Sequence, residues 1–243
     1  MIRLSEAVLP GHPDKFCDQV ADAIVAECYK VDPRAYCQVE MSVWSDHVFL
    51  TGGIVTRKPL KHDLADIVRA TGRRIGYVKP NAIDADLYDV RDTVCQRRAD
   101  PRTWTDAVND QCISVGWAGY DEKVGWLPPE HYLVHTLGKA LAHSCREGRL
   151  KGQGPDGKLL VRVRESSDEW QVEQVLVSLQ QLPDVALFDL TGLLVDDLRD
   201  VYSRLQSDDG RWVTRFDDIE LLINPNGPWI NGGSDGDNGQ TGR

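Results

Sequence analysis

Leu9-Pro10-Gly11-His12-Pro13-Asp14-Lys15 sets a histidine, a carboxylate and a lysine at the point where a helix begins. Pro13 suits the first helical position, because its missing N–H would have had no partner there and its fixed φ is already helical. Gly11 allows a tight entry. Asp14 and Lys15 then fall in the first turn. The corner supports two readings. Asp14 complements the helix dipole and His12 is a surface residue, or free backbone N–H groups, a histidine and a cation-holding carboxylate make a place for a metal-bound phosphate.

Outward from this corner, Phe16, Val20, Ile24 and Cys28, flanked by Cys17, Ala21 and Ala23, form one helical stripe from Pro13 to Lys30, ended by Asp32-Pro33. Cys37, Val39, Met41 and Val43 alternate with polar residues as a half-buried strand, which puts Glu40 on the polar side. Ser45-Asp46 then turns into a second strand through Val48 and Leu50. Leu60, Leu64, Ile67 and Val68 predict a helix stopping near Gly72, and a short strand is expected between Leu87 and Val94. Gln96 to Asp110 is polar and without period, which predicts an exposed loop.

The same order returns. Pro128-Pro129 opens a helix with Leu133, Leu137, Ala140 and Leu141, closed by Gly148. Leu160, Val161 and Val163 lead through Ser166-Ser167-Asp168 into a strand from Val172 to Leu179. A helix with Leu194, Leu198, Val201, Tyr202 and Leu205 precedes a strand from Ile219 to Ile223. Helix, hairpin, helix and strand thus occur twice, a domain-scale duplication. The expected class is α+β, with mixed sheets covered on one face by helices. The expected domains are a first repeat over 1–98, a loop or linker over 99–111, a second repeat over 112–231 and a glycine-rich segment over 232–243. That segment reads either as a disordered tail or as backbone free to approach phosphates.

Of 243 residues, 41% are apolar and 27% charged, an ordinary balance for a chain that buries a core. The formal net charge of −10 argues against a duplex-binding or membrane-surface protein, which needs a basic face. The Met-Ile-Arg-Leu-Ser-Glu start lacks the apolar core of a signal peptide, and no run reaches membrane-spanning length, so the cytoplasm is the expected location. The six cysteines form no Cys-x-x-Cys pair, which disfavours a zinc ribbon or dense disulfide framework. His131, His135 and His143 share a helix side without a Glu in the His-Glu-x-x-His position and read as packing or surface histidines. Gln153-Gly154-Pro155-Asp156-Gly157-Lys158 is expected in a loop before a strand, where Pro-Asp-Gly alone is an ordinary turn. P-loop and Rossmann glycine patterns are both missing.

Taken in order, several short motifs resemble S-adenosylmethionine synthetase (methionine adenosyltransferase) along the whole chain. They are Ser5-Glu6 before Gly11-His12-Pro13-Asp14-Lys15, Ile75-Gly76-Tyr77-Val78, Asp110-Gln111 ahead of Val115-Gly116-Trp117-Ala118, Pro155-Asp156-Gly157-Lys158, Asn224-Pro225-Asn226-Gly227, and the closing Gly236-Asp237-Asn238-Gly239-Gln240-Thr241-Gly242-Arg243.

The resemblance implies attack of the methionine sulfur on C5′ of ATP, departure of the whole triphosphate, and its hydrolysis to pyrophosphate and phosphate. Such a reaction needs positioning and stabilisation of a highly charged leaving group more than covalent catalysis. By the same resemblance His12 hydrogen-bonds the oxygen leaving C5′, Asp14 holds Mg²⁺ on the triphosphate, and Lys158 with Arg243 neutralises its oxygens. Asp156, Asp237 and Asp110 match positions around nucleotide and substrate. Trp229 stands where the family has a phenylalanine stacked on adenine. Glu40 matches the K⁺-binding position, and Gln96 the start of a mobile active-site loop. ATP and methionine or a related thioether are the implied substrates. A homodimer or higher homo-oligomer is the implied assembly, with no nucleic acid or membrane partner.

Three positions depart from the family pattern. Gly52-Gly53-Ile54 replaces Gly-Gly-Glu, whose glutamate contacts the methionine amino group, so position 54 matches a substrate contact but carries an isoleucine. Ala107-Val108-Asn109 replaces Gly-Ala-Gly. The family has three repeats and this sequence shows two, so a lysine, an aspartate and a second lysine are expected beyond Arg243, in a third repeat that comes from another chain or was lost from the recorded sequence. These departures keep open a related transferase with a different thioether, ATP binding without turnover, and a structural partner of a full-length homologue.

Overall fold

No sequence signal announces β1 (Ile2–Val8), because its large apolar residues Ile2 and Leu4 face out. Ile2 is 46% and Leu4 61% exposed, while Ser5 is buried. The computed structural model describes residues 1–106 and 113–242. After β1 come α1 (Pro13–Val31), the hairpin β2 (Tyr36–Trp44) and β3 (His47–Thr56), α2 (Leu64–Ile75), β4 (Asp89–Asp92), β5 (Cys95–Arg98) and the single turn α3 (Arg102–Thr105). The second series is α4 (Pro129–Arg146), the hairpin β6 (Gln153–Glu165) and β7 (Trp170–Gln181), α5 (Leu187–Asp208), β8 (Glu220–Ile223) and β9 (Gly239–Gln240).

The chain divides into two compact units that are discontinuous in sequence: Met1–Pro10 with Val115–Ile230, and Gly11–Ser114 with Asn231–Arg243. In the first, the sheet order is β1-β6-β7-β8; β1, β6 and β7 pair antiparallel in turn and β8 joins β7 in parallel. In the second, the order is β4-β3-β2-β9, with the hairpin antiparallel, β4 and β5 parallel to β3, and β9 antiparallel to β2. A parallel neighbour needs a crossover, and α2 and α5 supply it in the two units. The duplication is therefore explicit in the pairing: hairpin, crossover helix, parallel strand. The remaining edge is filled by β1 in one sheet and by β9 in the other.

Helix boundaries follow local chemistry. His12 is the N-cap of α1 with Pro13 at the first position, and Lys30 sits in its last turn. α2 runs past Gly72 to Ile75 and ends at Gly76, which adopts the left-handed conformation at φ 104°. Gly72 is small for packing, not for stopping the helix, since a Cβ there would lie 2.5 Å from the Ala85 methyl. The segment expected as a loop from Gln96 instead begins inside β5, whose four residues are all exposed. Likewise Gln153 to Lys158 lies within β6, across a bulge between Gln153 and Gly157, and not in a loop before it.

Each unit has its own core. Phe16, Val20, Ile24, Val39, Met41, Ile54, Leu64, Val68, Tyr77 and Tyr88 pack in the second, where Phe16 meets the rings of Tyr77 and Tyr88 at 5.2 and 5.6 Å. Leu133, Leu141, Leu159, Val161, Leu179, Leu194, Tyr202 and Trp212 pack in the first. At the edge of that core Arg211 lies over the Trp170 ring at 4.1 Å and pairs with Asp209 and Asp121.

Candidate functional site

The corner at His12 is built from both ends of the second unit. His12 is 8% exposed. Its Nδ1 accepts the Asp14 backbone N–H at 3.3 Å, and Tyr77 donates its hydroxyl to the Gly11 carbonyl at 2.6 Å. Carboxylates flank the ring on both sides, Asp14 Oδ2 at 3.9 Å from Nδ1 and Asp237 Oδ2 at 4.0 Å from Nε2. Because Nδ1 acts as an acceptor, the ring's proton in the neutral form belongs on Nε2, the nitrogen facing Asp237.

The glycine-rich segment is what brings Asp237 here. Gly239 passes so close to the start of α1 that a Cβ would lie 2.6 Å from the Pro13 carbonyl carbon and oxygen. Beyond it the Gln240 N–H donates to Asp14 Oδ1 at 2.9 Å, and the Gly242 N–H to Asp18 Oδ1 at 3.0 Å. Thr241 bonds β2 twice, giving its backbone N–H to the Met41 carbonyl at 3.0 Å and accepting the Met41 N–H at its side-chain Oγ1 at 3.2 Å, and its hydroxyl donates to Glu40. Ser234 anchors the preceding turn, donating to the Ser45 carbonyl at 2.7 Å and bonding Tyr88 Oη at 3.0 Å. Glu40 lines a shallow cavity of about 210 Å³ with Ser42, Thr51, Gln240 and Thr241.

Asp18, Thr241 and Ser234 were not candidates from sequence. Asp18 carries a usable signal, since it lies one helical turn after Asp14 on the same face. Thr241 and Ser234 carry none, because their partners are distant in sequence.

Ile54 and Gln96 are register partners on β3 and β5. Ile54 is 1% exposed within the apolar cluster, whereas Gln96 is exposed. In the first unit, Asp156 is 2% exposed and its N–H donates to Gln180 Oε1 at 3.3 Å. Gln180 Nε2 in turn donates to the Ile230 carbonyl at 2.9 Å, and the Gln181 N–H to the Trp229 carbonyl at 2.8 Å. Lys158 stands opposite Val8 on β1 and pairs with Glu6 at 3.7 Å. Asn224 clamps β7 through both amide atoms, accepting the Leu179 N–H at 2.7 Å and donating to its carbonyl at 2.9 Å, at φ 41°. Asp110 and Arg243 lie outside the described residues. His131, read as packing or surface, bonds Ser5 Oγ at 2.5 Å.

For a metal, the donor chemistry is oxygen. Asp14 and Asp237 offer hard carboxylates beside His12, and among the described residues no group of three His, Cys, Asp or Glu side chains is placed to hold an ion. Glu40 and the hydroxyl-bearing Ser42, Thr51 and Thr241 put oxygen donors around their cavity. Among the described residues no helix is long and apolar enough to cross a membrane.

The sequence pattern described as "S-adenosylmethionine synthetase, N-terminal domain" matches residues 1–98, and that of the central domain matches residues 105–229. An S-adenosylmethionine synthase of Mesoplasma florum is 31% identical over 251 residues, covering 98% of this chain and 63% of the relative. One from Aquifex aeolicus is 28% identical over 246 residues, covering 100% and 63%. A solved structure of an unusual S-adenosylmethionine synthetase from Campylobacter jejuni shares the fold, with TM-score 0.82 and 24% identity over 100% of this chain and 63% of that one. The chain thus spans about 63% of the length of these relatives.

Proposed function

Because the chain belongs to the S-adenosylmethionine synthetase family, we propose that it takes part in sulfur attack on C5′ of ATP, forming S-adenosylmethionine or a related sulfonium, with hydrolysis of the released triphosphate to pyrophosphate and phosphate. The supporting observation is His12 at the start of α1, buried between Asp14 and Asp237.

In this reading the Nε2 proton of His12 hydrogen-bonds the oxygen that departs from C5′ and stabilises its developing charge. The Asp14 N–H on Nδ1 fixes that tautomer, and burial holds the ring's orientation. Mg²⁺ bound by Asp14 and Asp237 would neutralise triphosphate charge, and K⁺ at Glu40 would brace the β2 edge where the glycine-rich segment attaches. Gly239 lets that segment lie against α1 and so keeps Asp237 beside His12. By the family pattern, Lys158 is proposed as a phosphate cation, Asp156 as a nucleotide-ordering carboxylate, and Trp229 as a surface for the adenine. Gln96, Asp110 and Arg243 complete the proposed set, and the proposed working form is a homo-oligomer.

Ile54 favours a second reading. An apolar side chain at 1% exposure offers nothing to an ammonium group, so the sulfur donor of this reading is a thioether other than methionine. Incubation with ATP, Mg²⁺, K⁺ and a panel of thioethers, with detection of the sulfonium and of pyrophosphate and phosphate, tests both. Nucleotide binding without any sulfonium product across the panel would leave only a non-catalytic ATP-binding role.

A further inference from the structure

We propose that Cys28 and Cys37 form a dithiol that reacts with hydroperoxides and closes a reversible disulfide between the end of α1 and the start of β2. Cys28 lies in the last turn of α1, which ends at Val31, and Cys37 is the second residue of β2. Cys37 shares its side of the strand with Val39, Met41 and Val43, and these residues pack in one cluster with Phe16, Val20, Ile24 and Cys28 of the helix. The last turn of α1 and the start of β2 thus bring both side chains into the same helix–sheet layer. The two thiols interact through a hydrogen bond that Cys28 donates.

That bond makes the two thiols unequal. Accepting the bond holds the Cys37 thiol below its usual range, while Cys28, the donor and fully buried, is pushed well up. Cys37 ionises first and is half-buried, which makes it the attacking group; Cys28 is the resolving group. The other described cysteines lack this arrangement. Burial, with the nearby charges of Asp14 and Asp18, drives the Cys17 thiol up, burial raises Cys145 to about 11, and Cys95 is exposed with no described cysteine beside it.

The chemistry balances with a hydroperoxide as the oxidant. The Cys37 thiolate attacks one peroxide oxygen, the O–O bond breaks, and the leaving oxygen takes up a proton, giving a sulfenic acid. The Cys28 sulfur then attacks the Cys37 sulfur and the S–O bond breaks, with the Cys28 proton leaving in the water formed. Two thiols lose two electrons and the peroxide is reduced by two. The product ties α1, which begins at His12 and Asp14, to β2, which carries Glu40.

The test uses the full chain treated with near-stoichiometric hydrogen peroxide, followed by intact mass and non-reducing peptide mapping. The expected result is loss of two hydrogen atoms, a Cys28–Cys37 cross-linked peptide, and full reversal by dithiothreitol. Cys28→Ser should stop at a sulfenic acid on Cys37 that dimedone traps. Should that variant not fold, alkylation of the native protein serves instead: iodoacetamide should label Cys37 ahead of Cys17, Cys28 and Cys145. Oxidation of Cys95 with Cys28 and Cys37 left as free thiols, or a Cys37 that alkylates no faster than Cys145, would overturn the proposal.

Discussion

Gly239→Ala is the sharpest perturbation of the corner. A Cβ there lies 2.6 Å from both the carbonyl carbon and oxygen of Pro13, and ordinary contact begins at 3.4 Å, so about 0.8 Å of separation must be found. Neither neighbour is a flexible side chain; both belong to the backbone that opens α1. Overpacking against rigid neighbours costs about 1–3 kcal/mol, and this site belongs at the upper end. Undocking the segment instead forfeits the N–H bonds to Asp14 and Asp18 at about 1.5–3 kcal/mol each, plus the Thr241 bonds to Met41. That sum exceeds the clash, so the segment stays attached under strain and opens more often. About 3 kcal/mol is about two decades in the opening equilibrium. Hydrogen exchange at the Gln240 and Gly242 amides should therefore accelerate about a hundredfold. Gly210→Ala, with nothing within 4 Å, should leave exchange at both amides unchanged. Equal protection of the two amides in Gly239→Ala and the native chain would refute the docking of this segment on α1.

Other expectations concern the cores and their charges. Ile54→Glu puts an unpaired carboxylate at a position 1% exposed and should cost about 3 kcal/mol or more in a urea titration; a midpoint equal to the native one would contradict the burial of that side chain. The Arg211 guanidinium, with its backbone N–H, holds the Asp209 carboxyl below the usual range, so its folded pKa lies under its unfolded value of about 4. The stability this contributes is complete above the unfolded pKa and is lost as pH falls through the folded one. Asp209→Asn should accordingly flatten the acid limb of the urea midpoint against pH; an unchanged limb would count against the pair. Asn224→Ala removes two bonds to Leu179 and should lower the melting temperature by about 4–8 °C, on about 2 kcal/mol and a chain of this size.

The elements legible in the sequence are those whose apolar period matches their burial. α1, β2, β3, α4 and α5 carry their hydrophobic residues toward a core, so periodicity finds them. β1 inverts that rule, with Ile2 and Leu4 outside and Ser5 inside, and β5 has no buried residue at all. β9 is a Gly-Gln pair whose pairing with β2 comes from backbone bonds that leave no side-chain pattern. At the site, Pro13 and His12 announce themselves through the physics of helix starts. The meeting of Asp237 with His12 does not, because it depends on the path of a glycine-rich backbone. What the motif order supplied was the expectation that these distant stretches serve one reaction.

His12 carries the central claim, and the direct measurement pairs nucleotide binding with single-turnover chemistry for the native chain and His12→Asn, in the presence of any partner chain found necessary. The expected result is an ATP Kd within about threefold of native and a rate of sulfonium formation lower by about 10²–10⁴-fold, as for a group that acts on the leaving oxygen only in the transition state. Equal losses in binding and turnover, or a variant that turns over at the native rate, would contradict it.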